Sequence, residues 1–241
     1  MEIPVLEGEI IERDGPQERL LVLLHGYGEP VADLTDRLDR IDPHAHFLAV
    51  APPAPFEHKG KAIWHRALTA PDEAGRQFLA SMAAIDAHLG ELAERTGRSA
   101  ADAVVGGFSQ GGGLALALLL AAGIVHRPAA AFGVCSFPPH IVGFPFDPRA
   151  ADGRPFLLWS ARADRFAPIE SSRAGAATLV DCGLAVTYRE TEGGHVMSDD
   201  AADAIGAWLD DLDAAVRPAP SPLLDGVEPL ARVREMWSPV A

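Results

Sequence analysis

The chain has 241 residues, 48% hydrophobic and 22% charged, as expected of a globular protein that buries enough apolar surface to fold without metals or disulfides. A formal net charge of −14 argues against nucleic acid or an anionic membrane surface as a partner, because both would be repelled. Two cysteines, Cys135 and Cys182, cannot make a zinc site alone and read as buried free thiols.

Along the chain, strand-like and helix-like segments alternate. Leu20 to Leu24 is a continuous apolar run, the pattern of a strand covered on both faces. Val31, Leu34, Leu38 and Ile41 recur at helical spacing, and Phe47 to Ala51 predicts a second strand ended by Pro52-Pro53. Phe78, Met82, Ile85, Leu89 and Leu92 set one helical stripe, with Asp72 and Glu73 at its start and Gly97 at its stop. Ala103 to Phe108 predicts a strand and Gly112 to Ala122 a helix. Ala129–Cys135 and Phe156–Trp159 predict two more strands, followed by a helix over 169–180 and a last strand over Leu184–Tyr188. Ser198 is the expected N-cap of a final helix, with Ile205, Trp208, Leu209 and Leu212 on its buried side.

This order predicts an α/β fold with a mostly parallel sheet and helices on both faces. One domain is expected over residues 1–216. The Pro-rich stretch 217–222 leads into an extension, 217–241, in which Val227, Leu230, Val233 and Trp237 suggest a short amphipathic helix. That helix is expected either to pack back on the domain or to contact a second subunit. The longest apolar run, Gly113 to Val125, is too short to span a membrane. No basic start followed by an apolar stretch opens the chain, so a cytoplasmic location is the expectation.

The chemistry concentrates in Gly107-Phe108-Ser109-Gln110-Gly111, which fits G-x-S-x-G between an apolar strand and an apolar helix. The glycines allow a sharp turn with the serine at its apex. A serine hydroxyl needs a base within hydrogen-bond reach, and with this elbow an acid and then a histidine follow in chain order. Of His126, His140 and His195, only His195 sits after the last strand and before the final helix, in Glu192-Gly193-Gly194-His195. Asp164 directly follows the Phe156–Trp159 strand, whereas Asp147 and Asp152 precede it. The expected triad is therefore Ser109, Asp164 and His195. The N–H of Gln110, at a helix N-terminus, and that of Tyr27, in Leu24-His25-Gly26-Tyr27-Gly28, are the expected oxyanion donors. His25 reads as buried and hydrogen-bonded to backbone rather than catalytic. Residues 136–155 form a long connection without helical period, and Phe137 within it is expected to wall an acyl pocket with Trp64 and Phe166.

His44 and His46 are the only close histidine pair and make a poor metal set, so no metal is expected. Neither a phosphate-binding G-x-x-x-x-G-K-[ST] nor a helix-opening G-x-G-x-x-G is present. Together LHGYG, APPAPF followed by AIW, GFSQGG, Asp164 to Pro168, and GGH resemble the carboxylesterase/phospholipase family, which includes acyl-protein thioesterases. The resemblance covers residues 20–216 and implies the α/β-hydrolase fold without a large cap domain, and hydrolysis of a small-molecule acyl ester. It also implies Ser109, Asp164 and His195 as triad, Tyr27 and Gln110 as oxyanion donors, no cofactor, and a possible homodimer. Thioesterase or lysophospholipase action through the same triad is the alternative, and a non-catalytic binding protein a second. Glu29 stands where members commonly have Asp, Ser160-Ala161 where they have His-Gly, and His65-Arg66 where an aromatic-Asp pair is usual. These departures bear on the substrate rather than on the triad.

Overall fold

The computed structural model describes residues 3–66, 70–151, 153–212 and 221–239. A two-residue edge strand, β1 (Ile10–Ile11), precedes β2 (Arg19–Leu24), whose apolar run is buried throughout after Arg19. The helical period over 31–41 is realised as two single turns, α1 (Ala32–Thr35) and α2 (Leu38–Ile41), which bury Leu34, Leu38 and Ile41. Next come β3 (Phe47–Val50) and a hairpin of β4 (Phe56–His58) and β5 (Lys61–Ile63). The hairpin turns on Lys59 and Gly60, both at positive φ (53° and 73°), as a two-residue turn that matches strand twist requires.

Helix α3 (Pro71–Thr96) begins with Pro71 and two acidic residues and ends on Gly97 at φ 71°. It leads to β6 (Val104–Phe108), α4 (Gln110–Leu120) and β7 (Ala130–Val134). A short strand β8 (Phe144–Phe146) interrupts the connection to β9 (Pro155–Ala161). Then follow α5 (Ile169–Asp181), β10 (Ala185–Thr191) and α6 (Asp199–Asp210), whose N-cap Ser198 accepts from Ala201 N–H at 3.1 Å.

Seven strands form one sheet in the order β1-β3-β2-β6-β7-β9-β10, parallel except for the antiparallel edge β1–β3. Apolar residues pack on both faces of it, one layer under α3, α4 and α5 and the other under α1, α2 and α6. The fold is that of an α/β-hydrolase, with no large cap domain among the described residues. No described helix is long and apolar enough to cross a membrane.

The Pro-rich exit at 217–220 and the boundary at 216 lie outside the described residues. Beyond them the helix expected around Val227–Trp237 is shorter, α7 (Ala231–Met236), and it runs straight into a strand, β11 (Trp237–Pro239). β11 pairs in parallel with β8, aligning Trp237 with Phe144. Trp237 is buried against the rings of Phe144 and Phe146, and its indole N–H donates to Pro139 O at 2.8 Å. The α7–β11 segment therefore braces the connection between β7 and β9.

Candidate active site

Parallel strands deliver their C-terminal ends to one edge of the sheet, and the site is built there. β6 ends at Phe108, and Ser109 sits at the apex of the turn at φ 51°, ψ −113°, its N–H donating to Val134 O at 2.9 Å. Both flanking glycines are sterically required. A Cβ at Gly107 would lie 2.3 Å from Leu24 O, and one at Gly111 only 2.0 Å from the same atom. The elbow is thus pressed onto the end of β2.

His195 Nε2 lies 3.0 Å from Ser109 Oγ, and His195 Nδ1 lies 2.7 Å from Asp164 Oδ2. The other carboxylate oxygen of Asp164 accepts the N–H groups of Phe166 at 2.7 Å and Ala167 at 2.9 Å. Burial pushes the Asp164 carboxyl up. The Ala167 N–H, His195 and the Phe166 N–H outweigh that and hold it below its ordinary value. The imidazole is packed between Phe108 and Phe166, at 4.8 and 5.0 Å between ring centroids.

Tyr27 follows β2 in a turn closed by Glu29 N–H to Gly26 O at 3.3 Å, and Gly28 at φ 65° donates to Ala62 O at 2.9 Å. The Tyr27 N–H has no protein acceptor among the described residues. Gln110 is the first residue of α4, where N–H groups have no intrahelical partner. Its side chain bridges to the β5 end, accepting from Trp64 N–H at 3.3 Å and donating to His65 O at 3.0 Å.

A cavity of about 550 Å³ opens over Ser109, Gln110, Tyr27 and His195. Phe78, Phe137, Pro138, Ile141 and Phe166 give it an apolar side, while Glu29, Lys61, His65 and His140 give it polar groups. Phe137 and Phe166 thus line the cavity, but Trp64 does not. Trp64 is fully buried behind it, donating its indole N–H to His25 O at 2.8 Å. Its size and its need for an acceptor are met by holding the Tyr27 loop, which corrects its expected place in the pocket wall. His25 is buried as expected, accepting from Ala54 N–H at Nε2 (2.9 Å) and contacting Gly26 O through Nδ1 at 2.7 Å.

Two further residues lie at the site: Glu29, which the sequence marks only as a departure from the family pattern, and Cys135, which it reads only as a buried thiol. Burial and nearby Asp33 push the Glu29 carboxyl up, opposed by His195 and Lys61. Cys135, the first residue after β7, is buried, and its thiol is pushed up to about 12 by burial and by Asp164 beside it. The sequence predicts a strand running through Cys135; the strand ends at Val134 instead, so Cys135 follows β7 as Ser109 follows β6.

The model of a family described as Phospholipase/Carboxylesterase matches residues 7–209. Among solved structures, esterase PE8 is similar at 25% identity and TM-score 0.70, over 86% of this chain and 99% of that one. A Bacillus cereus carboxylesterase shares the fold at 17% identity and TM-score 0.74, over 86% of this chain and 94% of that one. Zea mays acyl-protein thioesterase 2 shares it at 22% identity and TM-score 0.67, over 86% and 98% respectively. No curated protein matches the chain.

Proposed function

The chain belongs to the phospholipase/carboxylesterase family of α/β-hydrolases, and from that premise we propose that it cleaves carboxylic esters through an acyl-enzyme on Ser109. The observation that carries the reading is the unbroken hydrogen-bond chain from Asp164 through His195 to Ser109 at the mouth of a largely apolar cavity. Asp164 fixes the imidazole with its proton on Nδ1, leaving the Nε2 lone pair to take the serine proton as Oγ attacks the ester carbonyl. The Tyr27 and Gln110 N–H groups hold the oxyanion. His195 then returns the proton to the leaving alcohol, and a water repeats the sequence on the acyl-enzyme. The acyl chain lies along Phe78, Phe137 and Ile141, and the alcohol portion faces the polar mouth.

Hydrolysis of p-nitrophenyl esters from acetyl to palmitoyl, with Ser109→Ala alongside, tests the proposal. Activity should fall by on the order of 10⁴-fold or more in the mutant. A mutant that keeps the wild-type rate, or a wild type inactive on every chain length and on the matching thioesters, would overturn it.

A further inference from the structure

β6 and β7 lie side by side, and each runs into a non-glycine residue of positive φ, Ser109 at 51° and Cys135 at 50°. Each donates its N–H one strand further along the sheet, Ser109 to Val134 O at 2.9 Å and Cys135 to Trp159 O at 2.8 Å. A side chain rarely adopts this backbone, and such strain concentrates at functional positions. At Ser109 it aims a hydroxyl at His195. At Cys135 it seats a thiol beside the Asp164–His195 pair. Sγ of Cys135, a carboxylate oxygen of Asp164 and a ring nitrogen of His195 all lie within 4.8 Å of one another. Cys135 and Asp164 are buried, and the His195 side chain is only 15% exposed.

We propose that Cys135, Asp164 and His195 form a binding site for a thiophilic divalent cation, Zn²⁺ or Cd²⁺, whose occupancy reversibly inhibits the hydrolase. The inhibition rests on the triad reading above; the binding does not. Thiolate, imidazole and carboxylate are the three donor types of tetrahedral zinc, with a water completing the shell. Bonds of about 2.0–2.3 Å set such donors roughly 3.3–3.7 Å apart. The His195–Asp164 contact of 2.7 Å must therefore open somewhat and the sulfur move in. One dication against one thiolate and one carboxylate leaves no net charge, which suits a buried place.

The protons balance simply. Cys135 releases its thiol proton to solvent. The cation takes Nδ1 of His195, whose proton is lost there while one is taken up at Nε2, for one proton released per cation. With Nε2 protonated, the lone pair that would receive the Ser109 proton is gone. Because one proton leaves for each cation bound, binding strengthens about tenfold per pH unit.

Cd²⁺ titration of the full chain, followed by the ultraviolet thiolate-to-Cd²⁺ charge-transfer band and by ester hydrolysis, tests this. The band should appear in wild type and in Cys182→Ser and be absent in Cys135→Ser and Cys135→Gly. Glycine accepts the positive φ without strain, so the second variant guards against misfolding of the first. The inhibitory Cd²⁺ concentration, referred to each variant's own metal-free rate, should rise about 100-fold or more without the thiol, and a chelator should restore the wild type. A wild type without the band, a band that survives in both Cys135 variants, or inhibition indifferent to Cys135 overturns the site. If no ester is hydrolysed at all, the band and the released proton still decide binding, so the two readings fail separately.

Discussion

The two sides of the cavity are assembled differently. The side with the proposed catalytic groups consists of strand ends: Tyr27 follows β2, Ser109 β6, Asp164 β9 and His195 β10. Each position is set by a few residues of turn and by the parallel sheet beneath it. The apolar side is largely irregular chain after β7, joined by Phe78 and Phe166 and held by β11 from some 90 residues further along, with Trp237 bonded to Pro139 and Gly143 N–H to Met236 O at 2.7 Å. Local strand–turn–helix geometry places the proposed catalytic groups, whereas the apolar wall of the cavity depends on a long-range clasp. Damage to the two sides should therefore separate: one removes turnover, the other stability and chain-length preference.

The sharpest break on the catalytic side is Asp164→Asn. An amide in that place favours the wrong imidazole tautomer, and kcat should fall about 10⁴-fold with the fold retained. Stopped assays on a p-nitrophenyl ester, paired with a thermal melt, read both; wild-type turnover from this variant would dismantle the triad. On the apolar side the matching break is Trp237→Ala. Emptying that buried space should cost about 3–5 kcal/mol of stability, measurable by urea denaturation. Where the variant remains folded, rates on long acyl chains should suffer more than those on acetyl esters. An unshifted chain-length profile would mean that the clasp only stabilises and does not shape the wall.

Gly111→Ala tests how tightly the catalytic side is fitted. The added Cβ would meet the Leu24 carbonyl oxygen at 2.0 Å, a backbone atom that no side-chain rotation can clear, so the elbow itself must move. A displacement near 1 Å should cost on the order of 10²-fold in kcat/KM. A variant within twofold of wild type would show that the elbow tolerates relaxation.

The same contrast explains what could be read beforehand. The sheet strands other than the two-residue β1, α3, the elbow and the Ser109, Asp164, His195 order follow from hydrophobic period, glycine positions and chain order, all local signals. The Lys59-Gly60 hairpin was missed because each arm has three residues, too few for a period to register. The β8–β11 pairing was missed because register between segments some 90 residues apart leaves no trace in either alone. Trp64 was misassigned because an aromatic near a pocket motif looks the same from sequence whether it faces the cavity or backs it. Only the 2.8 Å bond to His25 O distinguishes the two.

The smallest effect compares two histidines, one on each side. Burial holds His25 and His140 below their ordinary value of 6.5, as it does His65 and His88. With folded pKa values below the unfolded one, the unfolded chain binds more protons as pH drops through about 6.5, so stability is full above that value and declines below it. His25 has more to lose. Its Nε2 accepts from Ala54 N–H, and protonation would set donor against donor under the Tyr27 loop. Among the described residues His140 makes one hydrogen-bond contact, Nδ1 to Pro138 O at 2.8 Å, besides an edge contact with the Phe137 ring. His25→Ala should therefore cost about 1–3 kcal/mol at alkaline pH, by stranding the Ala54 N–H, and should flatten the acid decline more than His140→Ala does. Denaturation midpoints for the three proteins at pH values on either side of 6.5 measure this. Equal flattening by both variants would mean that acid sensitivity arises from burial alone, and that the hydrogen bond under the Tyr27 loop adds nothing to it.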